Sequence, residues 1–288
     1  PVAYRITLDE EIVSIAMAGN GLFVGTKGTP YLVLGTDPQS MSAIRIEAAQ
    51  ACLNKRSMVD MGPYVLYAGA DGLVAATGTD VQVVTEGQIS PAQWRAVYYP
   101  SSLQGFLWEG RYVGFYTSGS NYGGFIFDNR FGERRITTLT QTATTDASGG
   151  FTDPDDNELY LIIDPSSGNS VVKKFQGGTT NQTFTWKSKE FVPERPGRMG
   201  FVKVDAEDWP VVIKGYGDGS LIYHATFNKS GATYNLTGST PSFSQVNIQE
   251  PVARLPSGVH RTYSVEIQAA KIVNEVCIAE SISEIRSL

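Results

Sequence analysis

The chain has 288 residues, of which 41% are hydrophobic and 18% charged, and its formal net charge is −6. This length fits one or two domains that can bury a core without disulfides or metal ions. The acidic balance excludes a dominant basic surface of the kind that grips nucleic acid by neutralising phosphates. The 30 glycines and the small charged fraction favour many turns and few charged helix faces, which predicts an all-β protein.

Strand-like apolar runs separated by glycine-containing turns recur four times in the first two thirds of the chain. The four copies occupy residues 12–34, 57–84, 105–128 and 149–175. In the first copy, Asn20 and Gly21 give a strong signal for a two-residue hairpin turn, because both turn positions favour a positive φ. Each copy therefore predicts a meander of three or four antiparallel strands.

The second strands of the four copies lie at regular distances along the chain. They align at Leu22, Val65, Tyr112 and Leu159. The steps between these residues are 43, 47 and 47, and a period of about 40–50 residues with three or four strands is typical of β-propeller blades. Blades lie face to face, which explains apolar runs that do not alternate cleanly with polar residues. We predict a β-propeller-like domain over residues 1–192.

The number of copies affects how this domain closes. Most closed propellers take roughly 4–8 blades, so four visible copies are few. The chain starts without a methionine, and residues 1–6 already have the pattern of a strand. We expect residues preceding Pro1 to complete the domain; the alternative is a stack of meanders that forms no ring.

One short helix interrupts the repeat. Ser90 is a good N-cap, and Pro91 suits the first helical position because its missing N–H would be unpaired there anyway. The helix is predicted at residues 90–97, on the rim between the second and third copies.

The pattern changes after the proline-rich step at residues 192–197, which marks the start of a second domain over residues 193–288. Its predicted strands cover residues 201–206, 211–216, 221–225, 262–269 and 274–280. Short alternating strands with frequent turns predict an antiparallel β-sandwich. Residues 228–247 are rich in Ser, Thr, Asn and Gly and predict a long exposed loop. This loop and the edge strands of the sandwich are candidates for subunit contacts.

Seven segments carry a resemblance to one group of proteins. In the C-terminal part they are RLPSG at 254–258, YSVEI at 263–267 and residues 273–285. Upstream they are residues 28–31, 52–60, 67–74 and 185–189. In their pattern and order, these segments resemble the tail tubular or nozzle proteins of short-tailed bacteriophages. The resemblance covers most of the chain and includes no catalytic motif.

This resemblance implies a structural component of the phage tail. Such proteins form rings below the portal and adaptor, and the rings line the channel through which DNA is ejected. For this chain it implies a homo-oligomeric ring, hexameric by resemblance, in the virion tail after synthesis in the bacterial host cytoplasm. Its partners would be the tail adaptor and tail fibre or spike proteins, with DNA in transient passage only. The net charge of −6 motivates the hypothesis that acidic side chains in the channel repel phosphate and keep the DNA mobile.

The resemblance gives no catalytic, cofactor-binding or metal-binding residues, and we predict a protein that is not an enzyme and uses no cofactor. His224 and His260 lack metal-ligand spacing, so we predict a structural role or solvent exposure for each. Residues 153–157 contain three aspartates and could hold a cation, but Asp and Asn also stabilise turns, and we favour a turn. Cys52 and Cys277 are predicted to be buried free thiols.

No apolar run approaches the ~20 residues that span a bilayer, so we predict no membrane insertion. The alternative function is a carbohydrate-binding or glycoside-hydrolysing propeller that takes part in host-surface recognition. A glycosidase needs two carboxylates flanking the sugar bond, and the candidates at comparable blade positions are Asp60, Asp128 and Asp146. Sugar rings could stack on Trp94, Trp108, Trp186 or Trp209. Of these, Trp108 and Trp186 are predicted to lie in the core, and Trp209 to be exposed.

Overall fold

The fold was analysed in a computed structural model. It describes residues 5–37, 39–130, 132, 134–141, 145–164, 168–179, 181–194, 196–228, 231–234, 243–246, 252–255 and 258–287. Over these residues the protein is all-β, as predicted, with strands in six antiparallel sheets. The α-helices are α1 (Pro91–Val97) and α2 (Ile282–Ser287). The chain divides into two compact units, unit one over residues 1–177 and unit two over residues 178–288.

Unit one consists of four successive meanders, which we name blades one to four. Blade one contains β1 (Ile12–Ala18), β2 (Gly21–Thr26), β3 (Tyr31–Leu34) and β4 (Ser42–Arg45). Blade two contains β5 (Val59–Asp60), β6 (Val65–Ala68), β7 (Leu73–Thr77) and β8 (Asp80–Val83). Blade three contains β9 (Gln104–Trp108), β10 (Arg111–Ser118), β11 (Asn121–Asp128) and β12 (Arg135–Thr140). Blade four contains β13 (Ala147–Thr152), β14 (Leu159–Ile163) and β15 (Val171–Lys174).

The predicted propeller-like repeat is confirmed, including its internal alignment. The four aligned residues lie on β2, β6, β10 and β14, which are the second strands of their blades. Among the strands of unit one, the sequence repeat failed to predict only the outer strands β4 and β12. Their side chains are exposed or half-buried, and such strands lack the apolar runs that identified the others.

Three cores join the blades in sequence, because each middle blade sends alternate side chains to its two sides. Between blades one and two, Phe23 and Leu32 pack with Tyr67 and Val74. The second core joins Leu66 and Leu73 of blade two with Tyr112 and Phe125 of blade three. The third joins Val113 and Phe115 of blade three with Leu159 and Leu161 of blade four. Both faces of blades two and three are therefore covered.

Helix α1 forms where the sequence predicts it and anchors the second core. The Ser90 hydroxyl accepts a hydrogen bond from the Gln93 N–H, as expected of an N-cap. Trp94 is fully buried and donates its indole N–H to the Gly69 carbonyl at 3.0 Å. Its ring stacks on Tyr98 and meets the edge of Phe125. The helix thus inserts one large side chain between blades two and three.

A short 3-10 turn at Lys55–Ser57 makes hydrogen bonds to the other three blades. The Lys55 carbonyl accepts from the hydroxyl of Ser14 on β1. The Ser57 carbonyl accepts from the hydroxyl of Tyr112 on β10 at 2.8 Å. The Arg56 guanidinium donates to the carbonyl of Ser148 on β13 at 3.0 Å. This turn, which precedes blade two, therefore links blades one, three and four through polar contacts in addition to the three cores.

Unit two is a sandwich of two antiparallel sheets. The six-stranded sheet has the order β16 (Phe184–Lys187), β23 (Tyr263–Ala269), β18 (Val211–Gly217), β19 (Ser220–Asn228), β20 (Gly231–Tyr234) and β21 (Phe243–Val246). The three-stranded sheet has the order β22 (Val252–Arg254), β17 (Phe201–Ala206) and β24 (Val273–Ala279). One core is shared by Ile213 and Ile267 of the first sheet with Val202 and Val204 of the second. The predicted sandwich is confirmed.

Two details of the predicted second domain differ from the structure. The division into units falls after residue 177 instead of 192. The reason is that β16 pairs with β23, so a strand before the proline-rich step belongs to the sandwich sheet. The predicted loop over residues 228–247 was wrong in part, because 231–234 and 243–246 form β20 and β21 and extend the six-stranded sheet. A composition rich in Ser, Thr and Gly did not prevent edge strands.

None of the helices in the described part of the chain combines the length and apolarity needed to cross a membrane.

Candidate functional site

The three carboxylates proposed for glycoside hydrolysis are each engaged by a different neighbour. Asp60 ends β5 and accepts a hydrogen bond from the Gly62 N–H at 2.7 Å, which closes a turn. Asp146 precedes β13 and accepts from the Thr117 hydroxyl at 2.7 Å. Asp128 ends β11 and lies in an ion-pair cluster with two arginines. The structure gives these carboxylates separate local roles in blades two, three and four.

The Asp128 cluster joins one carboxylate to two arginines. Arg130 contacts the Asp128 carboxylate at 2.8 Å and Arg111 contacts it at 3.1 Å. The hydrogen bond from Arg130 is the largest cause that holds the pKa of Asp128 well below its usual range. The general acid of a glycosidase needs a raised pKa. The lowered pKa of Asp128 therefore does not suit that role. The Arg111 guanidinium also lies over the Trp108 ring, 4.9 Å from its centroid.

A second paired cluster lies on one face of the six-stranded sheet in unit two. Lys187, Glu266 and Lys214 occupy one row across β16, β23 and β18. Glu266 accepts from Lys214 at 2.8 Å and from the Tyr216 hydroxyl at 2.9 Å. The contact with Lys214 is the main cause of the lowered pKa of Glu266. The contacts of Glu266 with Lys214 and Tyr216 join the neighbouring strands β23 and β18, so this cluster has a structural role.

The predicted structural role of His260 is supported by its contacts. Its Nδ1 lies 3.1 Å from the carboxylate of Asp218 in the Asp218–Gly219 turn. Asp218 also accepts the backbone N–H groups of Arg261 and Thr262. The Asp218 carboxylate therefore holds residues 260–262, which lead into β23. His224 lies on β19 opposite Lys214.

The aspartate-rich segment at 153–157 forms a turn, as predicted. The Asp153 carboxylate accepts from the Asp155 N–H at 3.0 Å, and Asn157 has a positive φ of 58°. The Asp156 carboxylate accepts from the Glu158 N–H and from the Tyr160 hydroxyl. No group of three or more His, Cys, Asp or Glu side chains suited to a metal ion occurs among the described residues.

The tryptophans differ in part from the prediction. Trp94 and Trp108 are buried, and Trp108 belongs to the third core. Trp186 was predicted in the core, but it is 51% exposed because β16 is the edge strand of its sheet. Trp209 was predicted to be exposed, but it is half-buried and packs against the core of unit two. Trp186 is thus the tryptophan available for an external contact.

The two cysteines are free thiols, as predicted, but differ in burial. Cys52 is buried in the first core, and burial raises the pKa of its thiol to about 11. Cys277 on β24 is half-buried, and burial also raises its pKa.

Blade one carries apolar side chains on both sides of its sheet. One side of its sheet packs against blade two through Phe23 and Leu32. On the other side, a row that is not buried crosses all four strands through Met17, Leu22, Val33 and Ala43. The adjacent row on that side contains the buried Val24 and Tyr31, so the side is covered in part. Ile15 lies on the same side of β1 and is 57% exposed. We name Ile15 and the four residues of the first row the leading face.

Blade four has a corresponding face on its outer side. Its inner side packs against blade three through Leu159 and Leu161. The outer side carries four apolar or aromatic residues that are not buried, Phe151 and Tyr160 in one row and Ile162 and Val172 in the next, and the exposed Lys174 completes the first row. Phe151 and Tyr160 stack with centroids 5.6 Å apart, and Val172 is 59% exposed. We name these four residues the trailing face.

Sequence reasoning did not single out the two faces. It expected blades to be buried on both sides, and the leading and trailing faces have the same apolar pattern as the covered ones. The residues of both faces belong to the first and fourth of the described blades, and Ile15, Met17, Phe151 and Val172 are exposed. Exposed apolar residues grouped in this way indicate a contact surface.

Fold and site together define an all-β protein of repeated antiparallel blades and a sandwich, with exposed apolar residues on the first and fourth described blades. No protein-family model matches the chain, and no curated protein matches it. Among solved structures, one that is similar is an exo-β-1,3-galactanase from Phanerochaete chrysosporium in complex with β-1,3-galactotriose. The identity is 9%, the alignment covers 90% of this chain and 78% of that chain, and the TM-score is 0.27. That likeness is too low to bear on the activity of this chain.

Proposed function

We propose that this chain is a structural, non-enzymatic component of a phage tail, of the nozzle or tail-tube kind. It would form part of the DNA-ejection channel and dock the tail adaptor and the fibre or spike proteins. The phage context rests on the resemblance of the segments from residues 28–31 to 273–285. The assembly role rests on one structural observation, the exposed apolar leading and trailing faces.

These faces support assembly because exposed contiguous apolar surface on a soluble protein usually marks a contact with another macromolecule. Each face lies on a sheet whose other side is fixed by a core, so it is presented on a rigid support. The carboxylate that could have favoured catalysis, Asp128, instead holds two arginines in place. The ion pairs of Asp128 thus favour a structural role of unit one over a catalytic role.

The experiment is the solution mass and particle shape of the purified chain, by light scattering and negative-stain imaging. It is done alone and with the adaptor protein of the same virus. Rings formed in either condition support the proposal, and rings held by apolar contacts persist when the salt concentration is raised. A strict monomer in both conditions at the highest soluble concentration contradicts it.

A second candidate, carbohydrate binding, is favoured by the exposed edge of unit two. Trp186 and Phe184 lie on the same side of β16, with exposed fractions of 51% and 38%. Exposed aromatic rings are suited to stacking on sugars. A glycan array followed by fluorescence titration tests this, with Trp186→Ala expected to abolish binding and Phe191→Ala, at another exposed aromatic, expected to retain it. An array without any bound glycan contradicts this candidate.

A further inference from the structure

We infer that blade four accepts a fourth strand from a partner protein, added antiparallel along the outer edge of β15. The added segment is extended and carries an acidic residue followed by two apolar residues. This inference rests on the proposed role in docking neighbouring proteins, and it names one edge and the chemistry of the segment that fits it. The contact is a pairing of backbones, which differs from the packing of one sheet face on another.

The repeat itself defines the place of the added strand. Blades one to three each contain a fourth strand, whereas none pairs with the third strand of blade four within the described part of the chain. The fourth strands β4, β8 and β12 pair antiparallel with the third strands β3, β7 and β11. In blade four the order is β13-β14-β15, so β15 holds the third position and its outer edge is where a fourth strand would run.

The fourth strands also contribute to the cores between blades, and the third core lacks this contribution from blade four. Val81 of β8 packs on the first core, and Ile136 of β12 packs on the second. Beside them, the core-side residues Val74 and Phe127 of the third strands are buried. The core-side residue Val171 of β15 is instead 41% exposed. An added strand with an apolar residue opposite Val171 would cover it.

The backbone of β15 offers hydrogen-bonding groups along this edge. The Phe175 N–H donates to the Leu159 carbonyl at 2.7 Å, and the alternation of an antiparallel pair then directs the backbone groups of Val171 and Lys173 toward β14. The N–H and C=O of Val172 therefore point away from β14, and no described residue supplies a partner for them. A residue of an added strand opposite Val172 can exchange both hydrogen bonds with it.

The side chains along β15 indicate the chemistry of the partner. Lys174 is already paired with Glu158 at 2.9 Å, whereas the described residues give the exposed Lys173 no ion-pair partner. Val171 and Val172, at the other end of the strand, are 41% and 59% exposed. Opposite charges and apolar side chains that face each other across strands stabilise their pairing. Since the added strand is antiparallel, its acidic residue lies opposite Lys173 and is followed by apolar residues opposite Val172 and Val171.

The experiment measures binding of synthetic peptides to the full chain by fluorescence anisotropy. The matching peptide is a capped, labelled octapeptide with one glutamate followed by two valines at its centre and threonines elsewhere. The control peptide has the same composition with the central order reversed. We expect saturable binding of the matching peptide and an affinity at least about tenfold weaker for the control, which places a carboxylate against apolar side chains. Hydrogen exchange of the Val172 amide should slow when the matching peptide binds.

Variants of β15 test the backbone pairing and the register separately. Val172→Pro removes the N–H that the added strand needs, and proline is tolerated in edge strands whose N–H faces solvent. The affinity should fall at least about tenfold with the fold retained. Val172→Thr keeps the N–H and the branched side chain, so it is the matched control and should bind as the parent chain does. Lys173→Glu leaves the backbone unaltered and should reverse the preference, in favour of a peptide with lysine in place of glutamate.

The outcomes separate the inference from the proposed function. A matching peptide that does not bind at millimolar concentration, or that binds no better than the control peptide, overturns the added strand. Binding that survives Val172→Pro but is lost in Phe151→Ser places the peptide on the trailing face and also overturns it. These results leave the assembly role standing, since light scattering and imaging measure that role. A strict monomer that binds the peptides with the expected preference contradicts the tail-channel proposal and supports the added strand.

Discussion

Replacement of Trp94 by alanine should destabilise unit one more than any surface change. The side chain is fully buried, contacts the rings of Tyr98 and Phe125, and donates to the Gly69 carbonyl. Truncating a buried Trp costs about 3–5 kcal/mol, and leaving a buried carbonyl without its donor adds about 1 kcal/mol. We expect a loss of about 5 kcal/mol in the free energy of unfolding, a large fraction of the roughly 5–15 kcal/mol that stabilises a domain.

The assay is calorimetry of the full chain, read in the transition that belongs to unit one. For a unit of 177 residues, each kcal/mol lowers Tm by about 2–4 °C, so the fall should be about 10–20 °C. Trp94→Phe keeps an aromatic ring and loses the indole N–H, so its Tm should lie between that of the parent chain and that of Trp94→Ala. Val97→Ala, on the exposed side of the same helix, should change stability by no more than about 0.5 kcal/mol. A Trp94→Ala variant that melts within about 4 °C of the parent chain would refute the view that α1 anchors the second core.

Three further outcomes are expected. Asp128→Asn should lower Tm at neutral pH, because the lowered pKa of the Asp128 carboxylate means that its charged form stabilises the folded state. This stabilisation is complete above the ordinary pKa of 3.8 and is lost as the pH falls toward the lowered pKa. The Tm values of the parent chain and the variant should therefore converge in acid. A difference in Tm that stays constant down to acid pH would contradict the ion-pair explanation. A thiol reagent at pH 8 should modify half-buried Cys277 much faster than buried Cys52, whose pKa is about 11; equal rates in the folded protein would show that the first core is open to solvent. Gly124→Ala should destabilise unit one by about 1–3 kcal/mol, because the added Cβ would lie 2.8 Å from the Gly114 carbonyl oxygen. Gly149→Ala is the control, since its nearest contact is a side-chain carbon at 3.5 Å, and equal melting shifts for the two variants would count against a steric cause.

The sequence predicted the repeat well because the second strand of each blade is rich in apolar residues, and the second strands of blades two and three are buried on both sides. Val65 and Tyr112 are fully buried, and strands with covered faces keep apolar residues at nearly every position. The alignment of these residues located all four blades. The outer strands β4 and β12 could not be found in the same way, because half-exposed strands carry the mixed composition of loops.

Predictions about exposure were less successful, because exposure depends on the neighbours of a strand and not on its local pattern. Trp186 has a strand pattern typical of the core, yet β16 is at the edge of its sheet. Trp209 lies beside acidic residues, yet its ring packs against the core of unit two. The candidate surface of unit one depends on the same property, since Ile15 and Val172 are apolar strand residues that are more than half exposed.

The turn at Lys55–Ser57 bears on how unit one would come apart. Its backbone and the Arg56 side chain hold residues from blades one, three and four, so local opening of blade two would remove bonds from each of them. In linear repeat proteins each unit contacts only its neighbours, and ends can fray while the middle stays folded. Here one short segment is shared by every blade, which couples their opening. Opening of blade one, three or four would therefore break a hydrogen bond of the shared turn as well as the core beside that blade.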